Sequence, residues 1–118
     1  MSFEPVARSG DVRGPRFLRA TAHGQPVLLS RLSDGTAVAF GTICPHQDKP
    51  LDEGTLWDDA VDCPHRHYTY DPVSGENLFP KRVFPADRAR GVRGIRTYQV
   101  REDGGWVLVG PRHDNQEP

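Results

Sequence analysis

Two tripeptides, Cys44-Pro45-His46 and Cys63-Pro64-His65, hold both cysteines of the chain, and sixteen residues separate His46 from Cys63. A thiolate and an imidazole two residues apart are both good ligands for a transition metal, and the proline between them stiffens the loop. Two such loops facing each other can hold one inorganic centre among four side chains. That requirement ties two distant turns to one point in space. The stretch that carries them cannot be helical, because from residue 44 to 85 it contains Pro45, Pro50, Pro64, Pro72, Pro80 and Pro85. Proline neither continues a helix nor donates to a sheet ladder. The reading is an insert of loops and short strands over about residues 44–85.

On either side of the insert the pattern is that of short strands. Phe17 to Thr21 leads into a turn at His23-Gly24, and Pro26 to Leu32 follows as a second strand. Ser33-Asp34-Gly35 supplies an Asp-Gly hairpin signal before a third strand from Thr36 to Ile43. Ile95 to Arg101, the turn Asp103-Gly104-Gly105 and Trp106 to Val109 predict a closing hairpin, with Trp106 in the core. Residues 1–15 show no steady period and read as a loose leading segment, and the tail from Pro111 reads as frayed. The expected architecture is one all-β domain over residues 1–118, an antiparallel β-sandwich or barrel with the insert grafted between strands. Leu, Ile, Val and Phe make up 26 of the 118 residues, a thin core of the kind that a bound metal stabilises.

Charge and hydropathy exclude several classes of function. Fifteen Lys and Arg against sixteen Asp and Glu leave a net charge of −1, which argues against a nucleic-acid binder. Uninterrupted apolar runs, such as Ala37 to Phe40, reach four residues, far short of a membrane helix. No leader of charged, apolar and small residues opens the chain, so a cytoplasmic location is expected. In that compartment a disulfide is disfavoured and the cysteines are metal ligands instead. The charges cluster nonetheless. Asp48 to Asp62 holds six acids and one Lys49, while Lys81 to Arg96 holds six bases and one Asp87. Such blocks are either solvated faces or a charged rim that orients a protein partner.

With Gly54 beyond the first box, and Tyr70, Asp71 and Gly75 beyond the second, the chain resembles the Rieske family of [2Fe–2S] proteins. That family's pattern is C-x-H, some 15–17 residues, then C-x-x-H, commonly continuing as CPxHGxxFDxxxG. The approach to Cys44 and the closing hairpin are similar as well, so the resemblance covers roughly residues 16–110. It implies the Rieske-like β-fold and a cluster in which two Cys hold one iron and two His the other. One position departs from the pattern. Aligned on Cys63, Asp71 and Gly75, the family's second His is Arg66, flanked by His65 and His67. Arginine has no lone pair to offer a metal.

Three outcomes follow. His65 or His67 completes the cluster, with His65 preferred because its Cys-x-His spacing already serves in the first box. Alternatively, three protein ligands leave a fourth position open, or the cluster is lost. The expected cluster ligands are therefore Cys44, His46, Cys63 and His65. High-potential members of the family carry a second Cys pair, and this chain has none, so it resembles the ferredoxin-type members. The implied function is that of an electron carrier without a substrate of its own. It would pass one electron from a flavin-dependent reductase to an oxygenase or similar terminal enzyme. The alternative is a cluster-less Rieske-like subunit, similar to some nitrite reductase small subunits. A mononuclear zinc site on the same four residues is a third reading. Tyr68, Tyr70 and Trp57 are read as packing the insert rather than relaying electrons. His23 and His113 are read as exposed, and Asp34 and Asp103 as turn residues.

Overall fold

The computed structural model describes residues 3–44, 49–52, 54–63, 69–79 and 95–112. In chain order the strands are β1 (Glu4–Arg8), β2 (Leu18–Ala22), β3 (Gln25–Arg31), β4 (Ala37–Phe40), β5 (Ile43–Cys44) and β6 (Lys49–Pro50). They continue as β7 (Thr55–Trp57), β8 (Ala60–Asp62), β9 (Thr69–Tyr70), β10 (Asn77–Phe79), β11 (Thr97–Asp103) and β12 (Trp106–Arg112), and a 3₁₀ turn at Ser9–Asp11 follows β1. Every strand pair is antiparallel. A six-stranded sheet runs β1-β12-β11-β4-β3-β2, a four-stranded sheet runs β10-β9-β8-β7, and β5 pairs with β6. The fold is the expected all-β one. No helix among the described residues is long and apolar enough to cross a membrane.

The alternation of strand side chains divides the molecule into two cores. In β3, Val27 and Leu29 join Ala37, Ala39, Val107 and Val109 on the inner face of the large sheet. Leu28 points the other way and joins Val38, Phe40, Leu51, Leu56, Val61, Cys63, Tyr70 and Ile95. β4 is thus covered on both faces, which is why Ala37 to Phe40 is an unbroken apolar run with every residue buried. The four-stranded sheet sits against its outer face, together with Leu51 just beyond β6. Phe17 packs edge-on against Phe40, with ring centroids 4.9 Å apart.

The edge strands of the large sheet approach each other and nearly close it into a barrel. His23 sits at positive φ in the turn between β2 and β3. Its backbone N–H donates to Glu4 of β1, and its Nε2 lies 2.9 Å from the carbonyl oxygen of Val109. The carbonyl can only accept, so this nitrogen carries the proton. His23 is an exposed turn residue, as read, and it also stitches the barrel seam.

Several expectations are corrected. The leading residues are not loose, because β1 pairs with β12 from Glu4↔Val109 to Arg8↔Trp106. Trp106 is not core: it is 40% exposed, with the Arg8 guanidinium 5.0 Å from its ring centroid. Strand β12 runs through Pro111 to Arg112, and the register shift between Tyr98 and Val100 places an irregularity opposite the proline. Asp103 closes β11 opposite Trp106, leaving Gly104 and Gly105, both at positive φ, as the turn. Asp34 is a turn residue as read, accepting the Thr36 N–H at 2.9 Å. That bond holds its carboxyl below the ordinary range. His113 lies outside the described residues.

Arg31 locks the end of the barrel farther from the cysteines. Its guanidinium donates to the carbonyls of Val12, Gly35 and Ser9 and to both carboxylate oxygens of Glu102, at 2.8 and 3.1 Å. The hydrogen bond from Arg31 is the main reason the Glu102 carboxyl is held below its ordinary value. A depressed carboxyl contributes stability that is complete above its unfolded value, about pH 4.3. That contribution is lost as pH falls through the unfolded value and then the folded one. Glu102→Gln is expected to flatten the stability profile below about pH 4.5. At neutral pH it should cost no more than the ~1 kcal/mol of a partly exposed ion pair. Urea midpoints measured from pH 3 to 7 check both parts.

Candidate functional site

Two hairpins carry the two boxes. β5 and β6 pair Ile43 with Pro50 and Cys44 with Lys49, so residues 45–48 join the ends of that hairpin. β8 and β9 pair Val61 with Tyr70 and Asp62 with Thr69, and Cys63 to Tyr68 join theirs. Both stems are seated on the same apolar cluster. Leu51, immediately after the first hairpin, is fully buried in it, as are Cys63 and Tyr70 of the second. The Leu51 N–H donates to the Thr42 carbonyl at 2.7 Å, and the Gly54 N–H donates to that of Leu51 at 2.8 Å. These bonds close the chain behind the first box.

Cys63, immediately after β8, is in no disulfide and has no exposed surface. A thiolate shielded from water in an apolar cluster is a suitable ligand for a metal that neutralises its charge. The backbone of Cys44 ends β5. His46, His65, Arg66 and His67 lie outside the described residues, as does Tyr68. The chemistry of the donor set, two cysteines each followed in the sequence by a histidine two residues on, suits an iron–sulfur centre.

The stretch after the second box is a built turn. The Asp71 carboxylate accepts the N–H groups of Val73 at 2.7 Å and Ser74 at 2.9 Å. The Gly75 N–H donates to the Asp71 carbonyl at 2.8 Å. Gly75 adopts φ of 81°, a conformation that glycine reaches without strain. The start of β11 braces this turn from outside. Thr97 Oγ1 donates to the Val73 carbonyl at 2.7 Å, and the Ile95 N–H donates to that of Gly75 at 2.9 Å. Asp71 and Gly75 were legible from the motif, whereas Leu51, Ile95 and Thr97 were not singled out. Their role depends on strands brought together from far along the chain, and no local signal marks it.

Tyr70 packs the insert as expected, but Trp57 does not, being 70% exposed. The adjacent Asp58 and Asp59 form the β7–β8 turn, both at positive φ. The Asp59 carboxylate accepts from the Ser33 N–H at 2.9 Å and hydroxyl at 2.6 Å. This ties the insert to the β3–β4 turn. An open groove of about 1000 Å³ lies beside these turns, lined by residues including Val12, Arg13, Arg31, Ser33 and Asp59. β4 and β8 both run from this end toward the cysteines, so the groove lies at the other end of β8 from Cys63.

Comparison with known proteins agrees with this geometry. A family model described as the Rieske [2Fe-2S] domain matches residues 2–85. The glycine betaine monooxygenase oxygenase subunit of Pseudomonas aeruginosa is 28% identical over 96 residues, which is 79% of this chain and 22% of that protein. Among solved structures, apo dicamba monooxygenase has a TM-score of 0.79 at 24% identity, over 93% of this chain and 33% of that one. The ferredoxin of carbazole 1,9a-dioxygenase from Nocardioides aromaticivorans IC177 has a TM-score of 0.75 at 23% identity, over 94% of this chain and 99% of that one. This chain therefore spans about a fifth to a third of the two oxygenases and nearly the whole of the ferredoxin.

Proposed function

From the premise that this chain belongs to the Rieske [2Fe–2S] domain family, we propose that it is an electron carrier of the ferredoxin type. Residues 1–118 act as one domain. Cys44 and Cys63 hold one iron, and His46 and His65 hold the other. The bound cluster supplies reversible one-electron transfer, at a potential raised by its two imidazole ligands. The rest is done by the chain. The shared apolar cluster under Leu51 and Cys63 keeps water from the thiolate side. The β5–β6 and β8–β9 stems hold the two loops in register. Arg66, next to the ligand His65, sets a fixed positive charge that favours the reduced, more negative state. The observation that carries this reading is the wholly buried Cys63 immediately after β8, in the same cluster as Leu51 behind the first box.

The partners are a flavin-dependent reductase upstream and a terminal oxygenase or similar enzyme downstream, and the carrier has no substrate of its own. A carbazole 1,9a-dioxygenase ferredoxin has been seen in complex with its reduced oxygenase, and the likeness of this chain's fold to that ferredoxin supports the same arrangement.

The test is EPR of anaerobically purified, dithionite-reduced protein, with iron and sulfide assayed on the same sample. A Rieske-type signal with two irons and two sulfides per chain is expected. A folded, iron-poor, EPR-silent sample would overturn the proposal in favour of the cluster-less subunit. A colourless sample loaded with one zinc per chain would do so in favour of the zinc site. Arg66→His is expected to change the g-values and lower the midpoint potential, because it removes a fixed positive charge beside the cluster. An unchanged spectrum and potential would place Arg66 away from the centre.

A further inference from the structure

Trp57 is 70% exposed, against 47% for Ile43 and 40% for Trp106. It stands on the outer face of β7 with Thr55, while Leu56 between them turns inward. The exposed turn Asp58–Asp59 follows directly. Tryptophan buried at an interface is among the strongest anchors there.

The fold handles its other surface rings differently. Arg8 lies 5.0 Å from the centroid of Trp106, and Arg101 lies 4.3 Å from that of Phe3. Among the described residues those two rings have a cation stacked on them, and Trp57 has none. Beside Trp57, however, stands a carboxylate pair. The segment from Asp48 to Asp62 carries six acids against Lys49 alone, and Arg16, bridged to Thr55, lies toward the opposite end of the strand.

We propose that Trp57 and Asp58 form a docking site for an arginine presented by a protein partner. The guanidinium stacks on the indole face, as Arg8 does on Trp106, and donates to the Asp58 carboxylate. Trp57 pairs with Ala60, three residues before Cys63, so the site lies about 10 Å along the strand from that cysteine. A partner held there sits on the β7–β8 turn, at the opposite end of β8 from Cys63. The site is built on β7 and its turn, so it stands or falls separately from the electron-carrier reading.

The experiment measures fluorescence anisotropy of a labelled hexa-arginine peptide on the full chain, with iron assayed on each sample. Wild-type protein, Trp57→Ala, Asp58→Asn and Trp106→Ala are compared. Binding is expected to weaken with salt and to fall about five-fold or more in Trp57→Ala, with a smaller loss in Asp58→Asn and none in Trp106→Ala. Trp57 is exposed and asparagine tolerates the Asp58 backbone conformation, so both variants should fold. Equal affinity for wild-type and Trp57→Ala overturns the proposal, as does a hexa-lysine peptide that binds as tightly as hexa-arginine. Sedimentation velocity provides another overturning result, a dimer that Trp57→Ala abolishes, which would assign the face to a second copy of the chain. An iron-free sample that still binds the peptide through Trp57 keeps this proposal and removes the electron-carrier one.

Discussion

Cys63→Ser is expected to abolish iron and sulfide binding and to unfold well below the temperature at which the parent protein does. The thiol is fully buried among Leu51, Val61 and Tyr70. Serine offers a poor ligand in place of the thiolate and leaves a hydroxyl in apolar surroundings, at a cost of about 1–3 kcal/mol. For a domain of this size, each kcal/mol lowers the melting temperature by roughly 4–8 °C. Loss of the bound centre adds to that, because anything that binds only the folded state stabilises it. Cys44→Ser should abolish the cluster too, since one iron would lose a thiolate. Iron and sulfide assays, the visible spectrum and a thermal melt check these outcomes, with His113→Ala as the silent comparison. Retained colour and full iron content in either cysteine variant would remove that residue from the ligand set.

Gly54→Ala is expected to destabilise the protein by about 3 kcal/mol or more, the upper end of what overpacking costs. A Cβ at this position would clash with the carbonyl oxygen of Asp62 and lie 3.2 Å from that of Leu51 and 3.2 Å from the Phe17 ring. Two of those atoms are backbone, so no rotamer change relieves the clash. The forced shift falls on the residue before Cys63 and on the residue that seats the first box. Cluster content should therefore drop along with stability. At Gly10 a Cβ would meet nothing within 4 Å, and Gly10→Ala should be neutral or slightly stabilising. Urea unfolding of both variants decides the matter: equal midpoints would mean that the close approach at Gly54 carries no energetic weight.

The two boxes, their spacing, the Asp71–Gly75 turn and the all-β class were readable because each rests on local chemistry. Ligand spacing, proline's missing donor and glycine's access to positive φ act within a few residues. The same holds for the hairpins, whose turns at His23-Gly24 and Gly104-Gly105 lie where the turn residues are. Strand edges were less legible. β1 has no period of its own and exists because β12 offers it a ladder. The choice between His65 and His67 is also non-local, since it depends on how one loop meets the other rather than on spacing along the chain.

By itself, the sequence determined that this protein is a β-domain with two cysteine–histidine loops, because those statements depend on neighbours along the chain. Tertiary structure alone decided which apolar residues are covered. Leu28 and Leu29 are consecutive and belong to different cores, and Trp106, in a strand pattern that suggested burial, stays at the surface under Arg8. Burial is a property of what arrives from elsewhere: β4 is covered twice because the insert packs on one face of it and the barrel interior lies on the other. Trp57 is bare because nothing among the described residues packs on the outer face of β7.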